Sequence, residues 1–441
     1  MKKVFTLAFL LLAGLWCGAQ NDNCFGIIVG KNASATGEVI MGHNEDDGGE
    51  QMLNIYASPE YLWAEFPGMD VADAFLNQYG VAIASDNCPS RSTDENFFDG
   101  GVCYEVRVAV AKNAKTAREA VDIIGRLVET RGYNKSGRTY LVADPNEAWV
   151  VAVVQGRQWV AQRVPDDAVM VIPNYYTIDR VDFADPDNFA GTDVFSYASS
   201  PSRGWYNFRT DGNFSFRKAF SSPDSRTKEH NLLRHRAALS YFGQPAPENP
   251  DEIPFCFKPD KKVSVEDVMN VLSLHQPAWA AGSICNKKTV VSTIFQLRSS
   301  MPREIGCVMW TAMGHPAVEA YLPIYLGSTE LPVFGRFFTA ADAERRHFTD
   351  AKNLRVHTPS GFYWKHVDRW AEIEKDLYKE AAAAQYAQKF QAKLLKEQEA
   401  FEKSCMSYYS SSDGTLRNAK GLAKRLNKAF EKNYEKYVKG F

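Results

Sequence analysis

The feature that most constrains this chain is a recurring unit: a short, β-branched apolar run closed off by turn residues. Phe25–Gly30 is such a run; "KNASATG" follows it, and "EVIMGHN" resumes the apolar pattern. That order reads as strand, turn, strand, with Gly37 as the residue that takes positive φ in the turn. Tyr79–Cys88 ("YGVAIASDNC") reads as a buried strand ending in a polar loop. Further strand-like runs cover Thr139–Ala143, Ala148–Val154, Trp159–Val164 and Val169–Ile172, then "VVSTIFQLR", "GCVMWTAMG" and "EAYLPIYLG". Only a few helical patterns interrupt them. Thr116–Arg131 places Ala117, Ala120, Val121, Ile124, Leu127 and Val128 on one face, with Thr116 and Glu119 as a capping box and Gly132 as the stop. Val265–Leu274 is a second helix, capped by Ser264 with Asp267. Strand runs broken by occasional amphipathic helices predict an α+β protein, with antiparallel sheets covered by helices.

The two ends differ from this body. Lys2 and Lys3 followed by the apolar stretch Val4–Trp16 read as a signal peptide, with cleavage expected after Ala19. A lipoprotein signal ending at Cys17 fits less well, because bulky Trp16 precedes it. From about Tyr363, apolar residues recur at helical spacing in a Lys/Glu/Ala-rich context. After the polar break "SYYSSSDG", Leu416–Val438 forms a basic amphipathic helix. The expected organisation is a signal peptide at 1–19, a short pro-segment at 20–23, a main body at 24–360 and a helical hairpin at 361–441. The basic helix reads as a solvated face packed on its apolar side, and no stable membrane insertion is expected.

A formal charge of -2 supplies no general attraction for nucleic acid, and none is expected as a partner. The chain has 8 cysteines, and losing Cys17 with the signal leaves an odd number. In an oxidising compartment at least one thiol then stays unpaired within the chain. Cys88 and Cys103 flank a loop and offer a candidate disulfide; Cys24 is the candidate free thiol. Without its neighbourhood, Cys24 would read as half of a disulfide.

A cysteine at a processed N-terminus carries a nucleophile and a base on one residue. Its α-amine has a reference pKa near 8 and can take the thiol proton close to neutral pH. The thiolate can then attack an amide carbonyl, provided that residues 20–23 are removed. The strand behind Cys24 would hold that new terminus inside a sheet.

Around this cysteine the sequence "CFGIIVGKNASATGEVIMGHNEDD" resembles the start of the dipeptidase A family, cysteine peptidases of the N-terminal-nucleophile hydrolase superfamily. "IVGKNAS" and "HNED" fall in the family's order, and "YGVAIASDNC", "VIPNYY", "DFADPDNF", "GWYNFRTDGNFSF", "GCVMW" and "YLPIY" follow. The resemblance implies an αββα sandwich and hydrolysis of dipeptides or short peptides without a metal or organic cofactor. It implies that Asp46 orients the Cys24 amine, and that Asn87 and Asn174 supply the oxyanion hole. Two residues depart from the pattern. Phe25 replaces a usual threonine, and His43 stands where arginine is expected, as a substrate-binding or electrostatic group whose charge is partial at pH 7. The acidic run at Glu45 and Asp46 lacks the spacing of an EF-hand or an HExxH site, so no metal is expected there.

Two other functions share these residues. One is a choloylglycine-type N-acyl amide hydrolase with a larger apolar pocket. The other is a non-catalytic envelope protein that keeps the fold as a binding module, with Asn87 and Asn174 as plain turn residues. Superfamily relatives often assemble, which makes a homo-oligomer a further expectation.

Overall fold

The computed structural model describes residues 24–46, 54–57, 60–65, 72–93, 97–276, 279–329, 331, 362–412 and 418–441. The expected signal peptide, the pro-segment and the boundary at 360/361 lie outside these residues.

Two antiparallel sheets form the body. The first has the order β10-β1-β2-β12-β13-β14: Val169–Ile172, Phe25–Val29, Val39–Asp46, Thr289–Leu297, Cys307–Met313 and Leu322–Tyr325. The second has the order β11-β9-β8-β7-β6-β5-β4-β3: Phe189–Gly191, Trp159–Arg163, Ala148–Val153, Arg138–Ala143, Ala82–Asn87, Ala72–Asn77, Tyr61–Glu65 and Asn54–Ala57. β1 and β2 make the expected hairpin, and Gly37 takes φ +80° between them.

Both faces of the central strands of the second sheet are buried, which explains why strands such as β8 are apolar throughout rather than alternating. Ala82, Ala84, Leu141, Ala143, Val150 and Ala152 face the first sheet. Val81, Ile83, Tyr140, Val142, Trp149 and Val151 face the helices α1 (Glu105–Asn113) and α2 (Ala117–Arg131). The inner face is thus mostly small, and the two sheets approach closely. A Cβ at Gly26 of β1 would lie 2.8 Å from Asp86 Oδ2 and from the Leu141 side chain across the gap. On the far side, α6 (Glu229–Tyr241) and α7 (Val265–Leu272) cover the first sheet, following the short helices α3 (Val194–Ser199), α4 (Phe216–Phe220) and α5 (Pro223–Thr227). The layers are helix, sheet, sheet, helix: the αββα arrangement.

The expected caps form at both helices. Thr116 accepts from Glu119 N at the start of α2, although the Glu119 carboxylate reaches Lys115 N instead of closing the box. Ser264 and Asp267 make the complete reciprocal box on α7.

Two expectations are corrected. Cys88 and Cys103 are not bridged; both are free and buried, and the Cys103 thiol lies 3.5 Å from Tyr133 Oη. The C-terminal region is not a two-helix hairpin. After α8 (Arg303–Gly306) the body leads to α9 (Phe362–Ile373), α10 (Leu377–Ser411) and α11 (Ala419–Val438). Asp376 accepts from Tyr378 N and Lys379 N, capping a new helix and splitting the expected first one. "SYYSS" belongs to α10 rather than to a break.

These helices share the core of the sandwich through Trp370, Ile373, Leu394, Cys405, Leu426 and Phe430. Arg298, at the end of β12, makes a bidentate pair with Glu402 of α10, both contacts 2.7 Å. Tyr325 Oη and Gln398 Nε2 also donate to that carboxylate. Among the described residues no helix is long and apolar enough to cross a membrane.

Glu402→Ala leaves the Arg298 guanidinium buried without its counter-charge and is expected to cost about 3–5 kcal/mol in urea unfolding. Replacing both residues by apolar side chains, Arg298→Met with Glu402→Leu, should recover most of that loss.

Candidate active site

Cys24 stands at the head of β1, and side-chain alternation decides what it meets. Gly26 faces the second sheet, so Cys24, two residues earlier, faces it as well. On the partner strand, a Cβ at Gly42 would touch Val268 and Leu272 of α7, so Gly42, Asn44 and Asp46 point the other way. Asn44 confirms this by donating to Leu272 O at 2.9 Å. His43 and Glu45 therefore share the inter-sheet face with the thiol. The register agrees: Phe25 pairs with Asn44, which sets Cys24 beside Glu45.

The Cys24 thiol is 1% exposed and lies 3.3 Å from Glu45 Oε2. The ligating atoms of Cys24, His43 and Glu45 all fall within 4.8 Å of one another. Behind His43 stands Asp86 of β6, with Oδ1 3.6 Å from Nε2 and both side chains fully buried. Burial pushes the thiol pKa up, and the Glu45 charge pushes it further; a hydrogen bond to His43 works in the opposite direction. With residues 1–23 still attached, Cys24 is therefore held as a thiol.

The other half of the site is built by α6. Arg234 is fully buried and donates from Nη1 to Cys24 O at 2.9 Å. Its Nη2 donates to Asn174 Oδ1 at 2.6 Å and to Asn231 Oδ1 at 3.1 Å. A guanidinium accepts nothing, so it fixes which way the Asn174 amide points. The NH2 group is turned to the opposite side, where it donates to Asn87 O at 3.0 Å. Asn174 holds φ +64°, a conformation asparagine tolerates better than most residues.

Asp46 lies on the far face of β2 from the thiol. It accepts from Thr289 Oγ1 at 2.6 Å and Asn286 Nδ2 at 2.5 Å, with Arg234 Nη1 3.9 Å away. Burial pushes its pKa up to about 7, against the opposing pull of Arg234, Thr289 and Asn286.

The expected residues therefore occupy two clusters joined at Cys24. His43 sits with the thiol; Asp46, Asn174 and Asn87 connect to it through Arg234 and the backbone. Sequence reasoning missed Arg234, Asp86 and the position of Glu45 in β2. One signal was available for Arg234: on "EHNLLRHRAAL" the positions Asn231, Arg234, His235 and Ala238 form one buried face. A cation and an amide on a helix face otherwise packed with apolar groups mark a built polar site.

Comparison with known proteins gives the chain its family. The model of peptidase family C69 matches residues 99–354. The chain is 25% identical over 357 residues to a probable dipeptidase of Latilactobacillus sakei, covering 70% of this chain and 75% of that one. It is 27% identical over 400 residues to a probable dipeptidase B of Lactococcus lactis subsp. lactis, covering 78% and 80%. With dipeptidase A of Lactobacillus helveticus it shares 26% over 378 residues, covering 71% and 77%. Among solved structures, penicillin V acylase from Agrobacterium tumefaciens aligns at TM-score 0.32 and 14% identity, over 70% of this chain and 93% of that one, a likeness too low to bear on function.

Two outcomes follow from this geometry. Arg234→Lys keeps the charge but loses the planar fork, and should lower any turnover by about 100-fold through misplacement of Asn174 and the Cys24 carbonyl. Asp46 has its folded pKa raised, so its contribution to stability is complete below about pH 4 and is lost as pH rises through 7. In the full-length chain, Asp46→Asn should therefore gain stability relative to the parent between pH 5 and pH 8, read by denaturant unfolding at both values.

Proposed function

The chain belongs to peptidase family C69, and on that premise we propose that it is an exported cysteine dipeptidase whose nucleophile is Cys24, exposed as a new N-terminus. The observation that carries this reading is the position of Cys24. It heads a central strand with its thiol against His43 and Glu45 and its carbonyl held by Arg234. Relatives named as dipeptidases align over most of the chain, which supports dipeptides or short peptides as substrates.

Removal of residues 1–23 converts the Cys24 amide nitrogen into a free amine able to take the thiol proton. The thiolate attacks the scissile carbonyl and forms an acyl-enzyme, and the amine returns its proton to the leaving group. Water then cleaves the acyl-enzyme. Asp46 orients the amine by its charge, while Asn87 and Asn174 stabilise the oxyanion; each preset donor contributes about 3 kcal/mol. His43, backed by Asp86, replaces a fixed cation with an imidazole beside the sulfur.

Protein isolated from its exported location should begin at Cys24 and carry a free thiol, read by intact mass and N-terminal sequencing. Cys24→Ala should abolish dipeptide hydrolysis while leaving the unfolding midpoint close to the parent's. Full activity in that variant would remove Cys24 from the mechanism. Preferential cleavage of a bile-salt or penicillin amide would reassign the substrate to N-acyl amides. A stable chain that still begins at Gln20 and turns over nothing would be a binding module.

A further inference from the structure

The thiol, the imidazole and the carboxylate that converge at the head of β1 form a set that fits one more ligand. We infer that Cys24, His43 and Glu45 bind a zinc ion, which occupies the nucleophile and holds the protein inactive.

The distances favour a tetrahedral ion. Zinc–sulfur and zinc–oxygen bonds of about 2.3 and 2.1 Å at tetrahedral angles separate the two ligand atoms by about 3.6 Å. Cys24 Sγ and Glu45 Oε2 are already 3.3 Å apart, with the imidazole nitrogen inside the same 4.8 Å cluster. The donor set is one sulfur, one nitrogen and one oxygen. That mixture selects a borderline-soft ion and disfavours magnesium and calcium, which take oxygen almost exclusively. Three protein ligands leave a fourth position for water. Asp86 Oδ1 stands 3.6 Å from His43 Nε2, a carboxylate placed beside the imidazole that would ligate. The strands fix all of this in advance, because Cys24 and Glu45 are cross-strand neighbours and His43 is two residues from Glu45 on the same face.

Binding replaces the S–H bond with an S–Zn bond and releases the proton to solvent; nothing is oxidised or reduced. The sulfur lone pair needed for attack is then committed to the metal. The ion is thus an inhibitor rather than a cofactor. The residue that makes the site possible is His43, where an arginine would offer no ligand.

Cobalt(II) serves as the optical probe for zinc. Titration of the isolated protein should give a thiolate-to-cobalt charge-transfer band that saturates at one equivalent and is bleached by one equivalent of zinc. Cys24→Ser and His43→Arg should each lose the band. Cys256→Ser should keep it, which excludes the one cysteine among the described residues that is not fully buried. Asp86→Asn should weaken zinc binding about tenfold or more. No saturating band in the parent protein, or a band that survives in both Cys24→Ser and His43→Arg, would overturn the inference. The titration reads binding directly, so it succeeds or fails whether or not the protein hydrolyses a dipeptide. Where hydrolysis is present, zinc should suppress it and a chelator should restore it.

Discussion

The Arg234 guanidinium has five N–H donors and no acceptor, so every group around it must turn an oxygen toward it. Four stretches of chain meet that demand: the carbonyl at the head of β1, the Asp46 carboxylate at the end of β2, Asn174 after β10 and Asn231 one turn earlier on α6. The first three stand at the ends of neighbouring strands of one sheet, and Asn231 belongs to the helix that carries the arginine. The Arg234 side chain is fully buried, so its charge must be compensated by the groups around it. Satisfying this one cation therefore fixes the position of the Cys24 carbonyl and the orientation of the Asn174 amide. The site's geometry follows from that requirement as much as from the sheets.

The sheets contribute a second constraint, the width of the gap between them. Alanines line much of the inner face, and Gly26 leaves room for Asp86 to stand beside His43. A larger residue at position 26 would drive the carboxylate away from the imidazole. The polar pair inside an apolar gap is costly to bury and is no source of stability in itself.

The parts of this arrangement differ in how readily the sequence discloses them. The β1–β2 hairpin is visible because its turn needs a glycine and its flanks are β-branched. Strands such as β8 are visible because both faces are buried and the run is apolar throughout. Glu45 and Asp46 are harder to place: an acidic run is a poor strand signal, yet β2 continues to Asp46 because β12 pairs along it. That partner lies some 240 residues away, and no local pattern announces it. Helix α6 is obscured for a related reason. Its inward face carries an arginine, a histidine and an asparagine, so amphipathic periodicity fails where the helix does its chemistry. Asn87 and Asn174 stand out through motif order alone, since asparagine at a strand end usually signals only a turn.

β14 closes one edge of the first sheet, and α11 lies across it. An uncovered strand edge offers unpaired backbone donors and acceptors to any other extended chain. Among the described elements α11 follows every strand in chain order, so that edge is covered only by residues that come after the whole sheet. An interrupted chain would carry a nearly complete sandwich with one adhesive side. The terminal helices thus act as a seal whose absence would favour self-association over solubility.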